Sequence, residues 1–527
     1  MTTRRPPRLR LLLIAALAAA LVLPTMATAV DAAGLSGGQR ATLLRYARDT
    51  WASFVAMTSP TTGLPADKLR SDGTTSAETS TTNIGAYMWS AIVAERLGII
   101  SHTEVVTRLD RTLHSLETME RHSPDGQYYN WYDHNTLQKI PFGGPPRLSS
   151  VDNGWLATGL HVVYTSVPEV GARAKAIYDA MDMGVFHRVV YPGGPGADDG
   201  SGTRGGATYH DQHLDRILFH IEPSTGNNPC CYDTTVSESR IATYIGIAKG
   251  ELPPSTYFGS WRTFPDTCDW SWPETKPLGV DRTYEVDGAT NDRVTVFEGA
   301  YPYNGTRVVP GWGGSAFEAL MPALFVPEEN WAKKSWKVNH PLTVAAQIHH
   351  GLVDAGYGYW GFSPANVPEG GYSVYGVDAI GMDPGGYPSN ENNTLVDHGF
   401  AGCPGRPAMP DPAPSAYTNG VVTPHAAFLG LRWAPESVMT NLANLEDDFD
   451  IYTPWGFRDS VNVDTGVVSD SYLSLDQGII MAAIGNALGH DMMRHAFATK
   501  EVKKALKPLI GMERFGADAG RNPVHLH

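Results

Sequence analysis

Two consecutive stretches, TTNIGAYMWSAIVAERLGII and SHTEVVTRLDRTLHSLETMERH, most constrain what this chain can become. In the first, Ile84, Tyr87, Met88, Ala91, Ile92 and Leu97 recur at helical spacing, with Thr81 or Thr82 placed to cap the start. In the second, Ser101 and Glu104 form a capping box, and Val105, Leu109, Leu113 and Leu116 make a buried stripe. The same pattern recurs, with further helices expected to begin near Gln39, Val151, Pro168, Thr234, Gly314, Pro341, Thr423, Pro435, Ser474 and His490. Some twelve helices in all, roughly six pairs with few long strands, give an all-α fold. The expected architecture is an (α/α)6 barrel, or toroid, whose inner helices line a cavity and whose outer helices cover them. No sequence-identical repeat is visible, which excludes the familiar solenoid families.

Two segments break the helical pattern. Residues 257–310 contain RTYEVDG and DRVTVFEGAYPYNGTRVVP, whose alternation and turn residues predict a small β-hairpin insertion. Residues 361–415 are rich in Gly, Pro and Tyr, and so long a connector in a folded domain is expected to flank a functional cleft. DGATNDRVTVFE has the length of a calcium loop but carries Ala where a ligand belongs and Asp where the sharp turn wants Gly, so a hairpin turn explains it. His210 and His213 lack a third ligand. No metal or cofactor is expected.

Arginines at 4, 5, 8 and 10, an apolar run from Leu11 to Leu23, and Ala27-Thr28-Ala29 read as a signal peptide over residues 1–32. Residues 33–527 are then one secreted domain, with no membrane attachment after cleavage. Net charge is −15, and no Lys/Arg block lies beyond the N-terminus, which argues against a nucleic-acid partner. The sequence specifies no oligomeric state. Export permits disulfides among the four cysteines; adjacent Cys230 and Cys231 are expected to pair with Cys268 and Cys403 rather than with each other.

Carboxylates recur beside glycines and aromatics at loop-to-helix junctions: Asp133, Asp152, Asp233, Glu238, Glu318, Asp459, Asp470 and Asp476. In a toroid such junctions rim the central cleft. Asp152 and Asp233 also suit N-caps, and Asp476 suits the positive end of a helix dipole. Glycoside hydrolysis needs two carboxyl groups about the scissile bond, one protonated. Glu318, set in GWGGSAFEALMP between Trp312 and Leu320, would have its pKa raised by burial and so suits the donor.

Taken in order, TSTTNIGAYMWSAIVAERLGIIS, YYNWYD, SSVDNGWLATGL, DTTVSESRIATYIGIAKG, GWGGSAFEALMPAL, GYWGFSP, VVTPHAAFLGL and SDSYLSLDQG resemble the bacterial glycoamylase-like domain family. That family includes secreted endo-β-1,2-glucanases and the glycosidase-like domain of cyclic β-1,2-glucan synthases. The match runs from Leu43 to Phe497. It implies an (α/α)6 barrel hydrolysing a glucan, with β-1,2-glucan as the expected polysaccharide substrate and endo action. Glu238, Glu318 and Asp476 are the implied catalytic acids, Glu318 as general acid, with Asp476 as base in an inverting reaction or Glu238 as nucleophile or base. Ser239 stands where the family carries alanine.

Trp131, Asp152, Trp155, Trp312, Trp360 and Arg458 are candidates for sugar contacts by stacking or hydrogen bonding, with His425 and the rim acids Asp133, Asp233 and Asp470 beside them. Buried structural roles are the competing reading for the tryptophans. The rival functions are a polysaccharide lyase on the same toroid, which would give the paired glutamates no purpose, and a secreted carbohydrate-binding protein without turnover.

Overall fold

The protein is described by a computed structural model covering residues 35–190, 212–263, 276–289, 292–382 and 413–520. Among these residues the helices are α1 (Gly37–Met57), α2 (Thr81–Arg96), α3 (His102–Thr118), α4 (Ser150–Ser166), α5 (Pro168–Ala180), α6 (Arg240–Lys249) and α7 (Ala316–Leu320). They continue with α8 (Glu328–Trp331), α9 (Trp336–His349), α10 (Pro424–Leu429), α11 (Pro435–Asp448), α12 (Ser474–Leu488), α13 (Met492–Phe497) and α14 (Lys500–Met512).

Burial sorts the helices into two sets. Helix α2 buries 14 of its 16 residues, whereas α3 buries 6 of 17 on one stripe. A helix apolar all round belongs inside, and a one-sided helix covers it. In the inner set α2 packs on α4 and α12, α4 on α6, and α10 on both α7 and α12. The α6–α7 join is polar: the Arg240 guanidinium donates to the carbonyls of Glu318 (2.9 Å) and Ala319 (2.8 Å). Helices α1, α5, α9, α11 and α14 back α12, α4, α7, α10 and α6 respectively.

Close approach within the inner set depends on glycine. A Cβ at Gly85 would meet the Trp155 carbonyl oxygen at 2.7 Å, and one at Gly154 would meet Ala242 at 2.9 Å. Both distances are below what packed atoms allow, so a side chain at either position would force α2 from α4, or α4 from α6.

The predicted hairpin is present as an antiparallel sheet of Leu278–Glu285, Arg293–Tyr303 and Thr306–Val308, with Glu285 opposite Arg293 at the turn. The other described strands form short two- and three-stranded sheets, several of them at helix starts, such as Glu78–Ser80 with Trp131–Asp133 and Lys68–Arg70 with Ser471–Leu473.

Three local expectations are corrected. The cap of α2 is Ser80, whose side chain accepts from the Asn83 N–H, so Thr82 lies in the first turn with its hydroxyl free for another partner. Helix α6 begins at Arg240 rather than near Thr234, because residues Cys230–Tyr232 pair as a strand with Leu214–Leu218. Cys230 and Cys231 are bonded to each other across a cis peptide that sets their Cα atoms 3.1 Å apart. Cys268 and Cys403, the signal segment, His210 and most of the long Gly/Pro-rich connector lie outside the described residues. Among the described residues no helix is long and apolar enough to cross a membrane.

Candidate active site

The first turns of α4, α7 and α12 carry Asp152, Glu318 and Asp476, and Glu238 lies just ahead of α6. At α7, Ser315 caps the helix by accepting the Glu318 N–H (3.4 Å), which leaves the Glu318 side chain free of any capping duty. Its Oε2 instead accepts from the Ser237 hydroxyl (2.9 Å) and from the backbone N–H of Glu238 (2.8 Å). Glu318 is buried, and burial pushes its carboxyl up to about 7 although both hydrogen bonds pull it down.

Glu238 lies two residues before α6 and is only partly covered. Its Oε2 accepts from the Trp155 indole N–H. Loss of solvation, then the adjacent Glu318 charge, hold its pKa well above the usual carboxylate range. Both carboxyls are thus raised, and Glu238 is the less covered residue of the two.

Arg240 fixes this pair. All five of its N–H bonds are used, on the carbonyls of Ser237, Glu318 and Ala319 and on both oxygens of Glu328. Glu328 also accepts from Tyr244 (2.6 Å) and meets His340 (2.9 Å). Burial works against the Glu328 charge, but Arg240 and His340 outweigh it and hold the carboxyl at about 2.

Asp152 continues the rim. Ser149, not Asp152, caps α4, and Asp152 accepts from Thr82 at 2.5 Å. With the Asn130 amide turned to satisfy both neighbours, its nitrogen donates to Asp152 (2.6 Å) and its oxygen accepts from the Trp131 indole (2.8 Å). Trp131 is half-buried against Phe142, ring centroids 4.6 Å apart, with Phe142 exposed.

Asp476, in the first turn of α12, belongs to a second cluster. Its Oδ2 lies 3.3 Å from Nδ1 of His425, and the donor atoms of His425, Asp459 and Asp476 lie within 4.8 Å of one another. Such a group can hold a proton or a cation between its carboxylates. Burial, then the Asp459 charge, raise Asp476 well above its ordinary pKa; burial lowers His425 to about 3. Asp459 accepts the Asn366 N–H (2.5 Å), Lys68 donates to the Asn366 side chain (2.9 Å), and Asn83 donates to Asp67 (2.9 Å). Burial pushes Asp67 up to about 6.

The remaining candidates divide. Trp155 is fully buried and reaches the site through its N–H, not through a sugar-stacking face. Trp312 is half-buried beside Tyr232 and Phe219, and its backbone N–H donates to the Val236 carbonyl two residues before Glu238. Half-buried Arg458 precedes Asp459 and has a buried Nε without a hydrogen-bond partner. Asp233 is buried and its carbonyl accepts from Trp261.

Three expectations are corrected. Trp360 is 2% exposed, with its backbone bound to Asn441 on both sides, so it presents no ring to a sugar. Asp133 accepts from the backbone of Asn135 and Thr136 and so closes its own turn. Asp470 is exposed and accepts from its neighbour Ser471. The sequence reading missed Asp67, Lys68, Asn366 and Ser237. Asp67-Lys68 sits in PADKLR, with no helix start or aromatic neighbour to mark it.

Residues 279–501 match the family model described as "Putative glucoamylase", and residues 45–190 match a family described as a protein of unknown function. Over residues 279–501 the chain is similar to that glucoamylase family. The chain is 23% identical over 559 residues to the cyclic β-(1,2)-glucan synthase NdvB of Rhizobium meliloti, covering 88% of this chain and 18% of the synthase. It thus spans under a fifth of that relative's length.

Among solved structures it is similar to the endo-β-1,2-glucanase of Chitinophaga pinensis in complex with sophorotriose and glucose, with TM-score 0.61, 17% identity, and coverage of 90% of this chain and 98% of that one. The β-1,2-glucanase of Parabacteroides distasonis gives TM-score 0.61 at 14% identity over 89% of this chain and 60% of that one. The endo-β-1,2-glucanase of Talaromyces funiculosus with sophorose gives 0.56 at 12% over 91% and 90%. At such identities the likeness is one of fold.

Proposed function

We propose that this protein is a secreted glycoside hydrolase that cleaves β-1,2-glucan internally, on an (α/α)6 barrel whose inner helices are α2, α4, α6, α7, α10 and α12. The observation that carries the reading is the Glu238–Glu318 pair: a partly covered acid with a raised pKa, held by an indole N–H and set against a second buried acid. A protonated carboxyl in that state is what a leaving glycosidic oxygen requires.

The sequence reading gave the donor role to Glu318. We assign it to Glu238 instead, because Glu238 is the less covered residue and the charge of Glu318, whose Oε2 accepts from Ser237 and from the Glu238 backbone, raises its pKa. Asp476, drawn from a different cluster, is the base that activates water. Two acids from separate clusters fit inversion, which needs about 6.5–9.5 Å between carboxyls to seat a water. Asp152, Trp131, Trp312 and Arg458 would bind sugar rings and hydroxyls along the cleft. The N-terminal basic and apolar run supports export, and the sophorotriose and sophorose bound to the structurally similar glucanases support the linkage.

The test is to incubate the protein with β-1,2-, β-1,3-, β-1,4- and α-linked glucans and to read reducing ends and product anomers. The reading expects short oligosaccharides from β-1,2-glucan, released with the α configuration. An unsaturated uronate product would point to the lyase instead.

A further inference from the structure

We propose that Asp459 and Asp476 hold one proton between facing carboxyl oxygens, and that Asp459 is thereby the positioning residue that lets Asp476 take a proton from water. The inference deepens the hydrolase reading and rests on it. Asp459 and Asp476 are 1% and 4% exposed. Oδ2 of Asp459 is bound to the Asn366 N–H, while Asp459 Oδ1 and Asp476 Oδ2 have no hydrogen-bond partner, the His425 nitrogen 3.3 Å from the latter being bonded to Thr423. A buried acceptor without a donor is costly, and one proton placed between two such oxygens satisfies both.

The surroundings favour a proton over a cation. The single hydroxyl hydrogen of Thr423 goes to the Asp459 carbonyl (2.7 Å), so the Thr423 oxygen must accept from Nδ1–H of His425 (2.7 Å). The imidazole nitrogen nearest Asp476 therefore carries a hydrogen and has no lone pair for a metal. His425 is neutral, and the other charged groups facing the pair, Asp67 and Lys68, are engaged with Asn83 and Asn366. Glu78 acts on Asp67 from the adjoining strand.

Before reaction the aspartate pair carries one negative charge and Glu238 is neutral. The water oxygen bonds to the anomeric carbon as the bond to the leaving oxygen breaks. One water proton passes to Asp476 while the shared proton settles on Asp459, and Glu238 gives its proton to the leaving oxygen. The aspartates end neutral and Glu238 ends charged; solvent returns the proton.

The experiment is infrared titration of the full chain labelled with 13C-aspartate, comparing wild type with Asp459→Asn and Asp476→Asn, alongside pH profiles of glucan hydrolysis. Each variant should lose the same single protonated-carboxyl signal at pH 7. Because an amide N–H is a weaker donor than a carboxyl O–H, the acid limb of kcat in Asp459→Asn should move up by about one unit, a tenfold loss on that limb, with KM unchanged. An unchanged carboxyl signal, an unmoved limb, or activity removed by EDTA and restored by Mn²⁺ or Zn²⁺ overturns the proposal. If the wild type cleaves no glucan, the hydrolase reading fails, while the infrared signal still decides whether the proton is shared.

Discussion

The backbone N–H of Glu238 donates to Oε2 of Glu318 at 2.8 Å, so the peptide of one acid clamps the carboxyl of another that lies 80 residues away in sequence. The two side chains cannot titrate independently: whichever ionises first raises the other. That relation links the fold to the proposed chemistry, and the following outcomes are expected from it.

Trp155 tunes the donor. Its indole N–H binds the charged form of Glu238, so Trp155→Phe should leave the proton more firmly held. The alkaline limb of the kcat profile should move upward, by up to about one pH unit. Steady-state kinetics from pH 5 to 10 check this, and a limb that stays put or moves down counts against the assignment.

Glu318 should be a stability burden above neutral pH. Its pKa rises from 4.5 to about 7 on folding, so the folded state is favoured while the carboxyl is protonated and loses up to about 3 kcal/mol as pH climbs from 4.5 through 7. In Glu318→Gln the amide oxygen can still accept from Ser237 and Glu238. Urea unfolding should find this variant more stable than wild type at pH 8 and close to it near pH 4.5, with activity reduced. Equal destabilisation at both pH values contradicts the account.

Arg240 and Glu328 behave in the opposite sense. The Glu328 pKa falls to about 2 on folding, so its contribution is full above 4.5 and is lost as pH drops from there toward 2. Lysine cannot supply five donors in a fork, and Arg240→Lys should cost about 3–5 kcal/mol near neutrality. The gap from wild type should narrow below about pH 4 in denaturant titrations. A gap that is constant with pH shows that Glu328 is not the partner that matters.

What the sequence carried was the segments, and what it lacked was their pairing. Helices α2 and α3 and the acids at the starts of α6, α7 and α12 follow from apolar spacing and capping residues that act within a few positions. The Ser237–Glu318 and Asp459–Asp476 relations join distant segments, so no local pattern announces them. Glu318 reads as a donor because its neighbours are apolar; the two hydrogen bonds that its Oε2 accepts come from a distant segment. Trp360 and Trp155 failed as sugar platforms because a large ring is as useful inside a core as on a cleft wall. Serines at 80, 149 and 315 took the capping work, which released Thr82, Asp152 and Glu318 for other partners.

The most direct measurement of the central claim compares Glu238→Gln on two substrates: β-1,2-glucan, whose leaving oxygen needs a proton, and a nitrophenyl β-1,2-glucooligosaccharide, whose leaving group does not. If Glu238 is the donor, kcat on the glucan should fall by about 10²–10⁴-fold while the nitrophenyl substrate loses little. Equal losses on both substrates, or no loss on the glucan, would show that the proton comes from elsewhere.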